Sequence, residues 1–194
     1  MMGEILLINK FLPFYLYRTA MKFLKLIANI FDSINEWFGK AVSWLLVFMV
    51  LNVFSVVILR YVFGFGAIWM QELYVWTHAI VFLLGSGYTL LHNGHVRIDL
   101  IYRTASSRYK AIIDVLGCLI FALPVLYIIF IKSMPMVERS WKVFEKSAEA
   151  GGLPGLFLFK SVLLLFCILF GIQFISSLIK SIENFISFTK IKEL

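Results

Sequence analysis

Four stretches of this chain, 41–59, 73–91, 115–131 and 161–179, are dominated by apolar residues and contain no Asp, Glu, Lys or Arg. A helix rises about 1.5 Å per residue and a hydrocarbon core is about 30 Å thick, so roughly 17–25 such residues suffice to cross a bilayer. The first, second and fourth stretches are long enough as they stand, and the third becomes so once 111–114 are included. The pattern predicts an all-α integral membrane protein with four transmembrane helices, at about 41–59, 73–91, 111–131 and 161–179.

Ahead of the first span the pattern changes. Between Met21 and Phe38 the apolar residues Phe23, Leu24, Ile27, Ile30, Phe31, Ile34, Trp37 and Phe38 recur every three or four positions, with Lys22, Lys25, Asn29, Asp32, Ser33 and Glu36 on the opposite face. This predicts an N-terminal amphipathic helix lying in the inner interface, where its lysines meet anionic headgroups, or alternatively a helix packed on a partner. Residues 5–17 are apolar but are interrupted by Lys10 and Pro13, and no small-residue cleavage pattern follows, so a removable secretory signal is not expected. The organisation predicted is an interfacial N-terminal segment at 1–40, a four-helix membrane domain at 41–182 and a cytoplasmic tail at 183–194.

Composition supports this picture and narrows the partners. Apolar residues make up 61% of the 194 positions and charged residues 15%, which leaves too little polar surface to cover a water-soluble globule. The mean hydropathy of +0.92 agrees. Of the 18 Lys and Arg, twelve flank the spans on the side of the two ends of the chain and six lie on the other side. By the positive-inside rule both termini belong in the cytoplasm. The net charge of +7 is divided among these flanks and forms no continuous phosphate-binding face, so nucleic acid is not an expected partner and membrane lipid is. Helical rise places Cys118 and Cys167 about 10 Å apart along the membrane normal, too far for a disulfide.

Candidate chemistry is sparse. His92, His95 and Asp99 lack a further ligand, so no metal site is expected. All three histidines fall between positions 78 and 95, which does not suit a haem held between facing helices. With no nucleophile and base, metal cluster or cofactor ligand set, neither enzymatic activity nor a cofactor is expected. Within the spans, Asn52 and Gln173 are predicted to form interhelical hydrogen bonds, and Pro124 a kink absorbed by packing. Asp114 is predicted to pair with Lys110, one helical turn earlier.

The densest group of distinctive residues joins the first two spans: Arg60, Tyr61, Phe63, Gly64, Trp69, Gln71, Glu72 and Trp76. If the second helix starts near Ile68, Trp69, Glu72 and Trp76 share one face. A carboxylate at the membrane edge gains by pairing with a cation such as Arg60 or by docking on a partner. After the second span, Val96, Ile98 and Leu100 alternate with Arg97 and Asp99, which predicts a short segment with one apolar and one charged side.

In this order the features resemble one family, the small (DctQ-like) membrane subunit of tripartite ATP-independent periplasmic, or TRAP, transporters. The resemblance covers about 38–182. It rests on Arg60-Tyr61-Val62-Phe63-Gly64, then Trp69, Gln71-Glu72-Leu73, Trp76, Gly85 and Tyr88, and finally His95-Val96-Arg97-Ile98-Asp99-Leu100. A weaker echo lies in Glu145, Ser147 and Gly152-Leu153-Pro154, whereas the paired glycines before Leu153 and the charge of Lys160 depart from the pattern.

The resemblance implies a subunit of the bacterial inner membrane that scaffolds a large, DctM-like transport subunit. That large subunit takes up an organic anion, a dicarboxylate or sugar acid, with sodium, after delivery by a periplasmic solute-binding protein. Arg60, Tyr61, Trp69, Gln71, Glu72, Trp76, His95, Arg97 and Asp99 are then candidate subunit-interface or structural residues, and 132–160 is the outward surface open to the binding protein. The residues themselves favour a supporting role, since no internal repeat is evident and polar groups within the spans are few. An autonomous small channel or carrier is the alternative, and a membrane redox subunit a more distant one.

Overall fold

In the computed structural model, the chain is described over residues 2–95 and 106–191, with side-chain surroundings defined within 19–186. Those residues form helices and connections only, with no strand among them. The elements are α1 (Met2–Tyr61), α2 (Ile68–Leu91), α3 (Ser107–Gly117), a π-helical turn (Cys118–Ala122), α4 (Leu123–Lys142) and α5 (Leu156–Ile191). Among the described residues, four helical segments are long and apolar enough to cross a membrane: Thr19–Tyr61, Ile68–Leu91, Arg108–Lys142 and Leu156–Ile186.

The third segment stays helical through Pro124 because its backbone widens just before the proline. Proline lacks an N–H and crowds the carbonyl four residues back. The Leu123 N–H here reaches the Cys118 carbonyl, five residues earlier, and the π turn Cys118–Ala122 takes up the mismatch. At the start of α3, the Ser106 hydroxyl accepts the Tyr109 N–H at 3.4 Å as an N-cap. The helix then continues beyond the apolar run to Lys142, helped by the i,i+4 pair Glu138–Lys142 at 2.7 Å.

Helix α5 is the hub. It packs against α1, α2, α3 and α4, while α1 and α2 also pack on each other. The apolar centre is Val42, Leu84 and Leu169, one residue from each of α1, α2 and α5, with Ile34, Phe38, Leu45, Ile80, Val162, Leu165 and Ile172 around it. Much of the remaining apolar surface faces outward, including Trp44, Phe48, Leu51 and Phe54 along α1 and Phe121, Tyr127 and Ile128 on the third segment. Such a surface is stable in hydrocarbon and not in water.

The expected amphipathic helix differs in setting from its prediction. No interruption separates 21–38 from the first span, because α1 is one continuous helix. Phe23, Ile30 and Trp37 face away from the bundle, as an apolar face toward lipid would. Part of the face predicted to be solvated is instead sealed against other helices. Asp32 accepts hydrogen bonds from Gln173 Nε2 at 3.0 Å and Ser176 Oγ at 2.7 Å, and pairs with Lys180. Lys25 pairs with Glu183 at 2.5 Å, which places the starting half of α1 beside the end of α5.

Small residues permit this closeness. Ala28, Asn35, Gly39 and Val42 are buried along one stripe of α1 at helical spacing with Asp32. On α5, Leu169, Gln173, Ser176 and Lys180 form the matching stripe. Asn35, fully buried, donates to the Leu169 carbonyl at 3.1 Å. Its Oδ1 lies where a Cβ on Gly87 would sit, only 2.0 Å from that position, so α2 approaches through a glycine Cα–H. A Cβ on Gly39 would likewise fall 2.2 Å from the Tyr88 ring. Small residues that admit backbones and polar side chains that join helices are how bundles cohere without water to drive them together.

Candidate subunit interface

The turn between α1 and α2 closes on Gly64, whose φ of +64° is a conformation that side-chain-bearing residues rarely adopt. The Phe65 N–H returns to the Leu59 carbonyl at 2.9 Å and fixes the reversal. Around it Arg60, Tyr61, Val62, Phe63 and Phe65 are exposed, Tyr61 to 81%. Trp69, at the start of α2, is exposed too. The cluster joining the first two spans therefore presents one outward group of aromatic residues beside the Arg60 cation.

Glu72 and Trp76 belong to a different arrangement. Glu72 is not paired with Arg60 here; it is held by the loop that leads into α5. Its Oε2 accepts the Leu153 N–H at 2.6 Å and its Oε1 accepts the Ser147 hydroxyl. A carboxylate at a helix start can thus be satisfied by one loop backbone and one hydroxyl, with no cation required. Trp76, one turn along, stacks on Phe159 of α5 with centroids 4.9 Å apart and planes 11° from parallel.

The connection 143–155 folds back on itself to reach Glu72. Ser147 N–H donates to the Leu153 carbonyl at 3.0 Å, and the Ser147 hydroxyl accepts the Glu149 N–H at 3.1 Å. Gly152 must lack a side chain, since a Cβ there would stand 2.5 Å from Ser147 Oγ and 2.7 Å from Glu72 Oε2. Glu145 pairs with Lys160 at 2.5 Å, and that ammonium holds the Glu145 carboxyl below the usual carboxylate range. Trp141 Nε1–H donates to Ser161 Oγ at 2.8 Å, tying the end of α4 to the start of α5.

At the other end of α2, His92-Asn93-Gly94 forms a helix stop. Asn93 takes a φ of 54° and the Gly94 N–H donates to the Thr89 carbonyl at 2.8 Å. His92 Nε2 lies 2.7 Å from Glu36 and its ring packs on Tyr88. His95 Nε2 lies 3.2 Å from the Ser86 carbonyl, where it can only donate, and its ring faces Phe170. Arg97 and Asp99 lie outside the described residues. Gln71 is half-buried within the first turns of α2, and His78 is exposed.

The predicted interhelical uses of Asn52 and Gln173 are present. Asn52 Nδ2 donates to the Met70 carbonyl at 3.1 Å, joining α1 to α2, and Gln173 donates to Asp32 across α5 and α1. The sequence shows Ser147 and Gly152-Leu153 as a weak motif but carries no sign of their contact with Glu72, and its periodicity puts Asp32 on the polar face of an interfacial helix. The available signal was the spacing of Ala28, Asp32, Asn35, Gly39 and Val42, a small and polar stripe on an otherwise apolar helix.

The family of tripartite ATP-independent periplasmic transporters, DctQ component, matches residues 49–184. The chain belongs to this DctQ family. The match takes in the Glu72 carboxylate of this DctQ chain, its loop partners Ser147 and Leu153, and the α5 stripe from Leu169 to Lys180, whereas the α1 stripe from Ala28 to Val42 lies ahead of it. Comparison with curated proteins gives no match, nor does comparison with solved structures. As a DctQ component with four spanning-type helices, the chain is a multi-pass membrane protein and the small component of a TRAP transporter.

Proposed function

We propose that this chain is a non-transporting brace. It sits in the bacterial inner membrane with both termini in the cytoplasm and holds the fixed part of a large, DctM-like subunit. The large subunit carries the substrate and sodium sites, and a periplasmic solute-binding protein delivers an organic anion, a dicarboxylate or sugar acid, for sodium-coupled uptake. Family membership and the charge distribution along the sequence support this reading.

One structural observation carries it furthest. Secondary transporters expose backbone at interrupted helices to coordinate ions and substrate near the midplane. The four spanning segments here keep helical backbone throughout, with the π turn Cys118–Ala122 as their one irregularity among the described residues. Asp32, Asn35, Asn52, Gln173 and Ser176 all make hydrogen bonds between helices. The polar groups hold the bundle together, and cargo chemistry is assigned to the partner.

The test is uptake in proteoliposomes. The chain alone is expected to give no sodium-driven accumulation of dicarboxylates or sugar acids, and addition of the large subunit and binding protein is expected to restore it. Sodium-driven uptake by the chain alone would overturn the reading.

A further inference from the structure

A groove opens between the last turns of α4 and the start of α5, at the end of the bundle that carries the turn between α1 and α2. Its volume is about 510 Å³, within the roughly 300–1,000 Å³ range of small-molecule sites. Met136, Arg139, Lys142 and Val143 line it on the side of α4, and Glu145 and Lys160 on the side of α5. The lining holds three cations and one carboxylate.

Its depth and its charge point to the ligand. Lys160 immediately precedes the apolar run 161–179, and Trp141 donates to Ser161, the first residue of that run. Trp141 and Phe144 both pack edge-on against Phe157, and Trp76 stacks on Phe159. Tryptophans gathered where an apolar run begins mark the interface at which phospholipid headgroups lie, so the groove opens at headgroup depth. Lys160 pairs with Glu145 at 2.5 Å, and Lys142 with Glu138 at 2.7 Å. The excess positive charge is then that of Arg139. Its Nε–H donates to the Pro135 carbonyl at 3.1 Å, which steers the guanidinium and uses one of its five N–H donors. Met136 and Val143, both exposed, add apolar surface beside it.

We propose that this groove binds the phosphate of an anionic phospholipid of the phosphatidylglycerol class. The guanidinium of Arg139 receives two phosphate oxygens through its planar fork, and Lys142 lies beside them. Met136 and Val143 meet the glycerol and the first methylenes of the acyl chains. An ethanolamine or choline headgroup carries its own cation into a lining where cations already outnumber carboxylates, so the groove favours the headgroup without one. An acidic protein surface would match the charge but not the depth, since the groove opens where hydrocarbon begins. The inference is independent of the subunit role proposed above.

Native mass spectrometry of the full chain tests it. The protein is stripped of lipid in detergent and offered an equimolar mixture of phosphatidylglycerol, phosphatidylethanolamine and phosphatidylcholine. Preferential retention of phosphatidylglycerol is expected, and excess inorganic phosphate should not displace it, because a free ion has no apolar part for Met136 and Val143. In Arg139→Gln the excess of phosphatidylglycerol over phosphatidylethanolamine should fall by about fivefold, the size of one exposed ionic contact, while circular dichroism stays unchanged. Lys132→Gln removes an exposed cation of the same helix outside the groove and should leave the preference intact. Equal retention of the three lipids by the unaltered chain, the outcome if these charges serve a protein partner, would overturn the proposal. So would displacement by phosphate, a preference that survives Arg139→Gln, or an equal loss in Lys132→Gln.

Discussion

Glu72 at the start of α2 accepts the backbone N–H of Leu153 at 2.6 Å, across 81 residues of sequence. With the Ser147 hydroxyl on its other oxygen, this carboxylate fastens the connection 143–155 to the first helix pair. It makes the two separated motifs of the chain one structural unit.

Removing that carboxylate should loosen the connection. Glu72→Ala is expected to destabilise the folded chain by about 1.5–3 kcal/mol, the range for a hydrogen bond to a charged group. Thermal unfolding in detergent measures it. Ser147→Ala should cost clearly less in the Glu72→Ala background than alone, because the two residues share the interaction. Equal costs in both backgrounds would separate them.

The glycines divide by what a methyl group would meet. Gly87→Ala drives a Cβ into Asn35 Oδ1 and toward the Leu169 carbonyl, and Gly152→Ala drives one into Ser147 and Glu72. Each should destabilise by about 1–3 kcal/mol, as overpacking does. Gly171→Ala meets nothing within 4 Å and should be neutral or stabilising by up to about 1 kcal/mol. Melting temperatures of the three variants give the comparison directly.

The Glu145–Lys160 pair sets a pH dependence for the connection 143–155. Its lowered Glu145 pKa means that the folded form binds its proton less readily than the unfolded chain does. The stabilisation is complete above the usual carboxylate range and is lost as pH falls through the lower folded value. Hydrogen exchange at 145–153 should therefore quicken on acidification below the usual carboxylate range, after correction for the intrinsic pH dependence. In Lys160→Met that extra acid-dependent increase should disappear.

The exposed turn and the half-buried contacts of Glu72 and Trp76 should separate in an assembly assay. Combined replacement of Arg60, Tyr61 and Trp69 by alanine is expected to reduce copurification with the large subunit while leaving the melting temperature of the isolated chain nearly unchanged, since all three are exposed. Replacement of Glu72 and Trp76 should lower the melting temperature first. Unchanged copurification in the turn variant would remove these residues from the interface.

Legibility in the sequence followed range. The four spans were legible because hydropathy is a property of neighbours along the chain, and a helix presents about twenty of them to the bilayer. The interhelical use of Asn52 and Gln173 was legible as a class, since an amide in hydrocarbon needs a partner. Which partner each would take was not. Pro124 was legible as a perturbation of its helix, but its resolution into a π turn depended on the backbone around it.

The sequence by itself determined that the chain crosses a membrane, how many times, and to which family it belongs, because apolar length and motif order are written locally along it. Tertiary structure alone decided that Glu72 closes on Ser147 and Leu153 and that Asp32 turns to α5. Those outcomes depend on which helices come to lie side by side. Residues distant along the chain become hydrogen-bond partners only after the packing of α5 against its neighbours has set their separation.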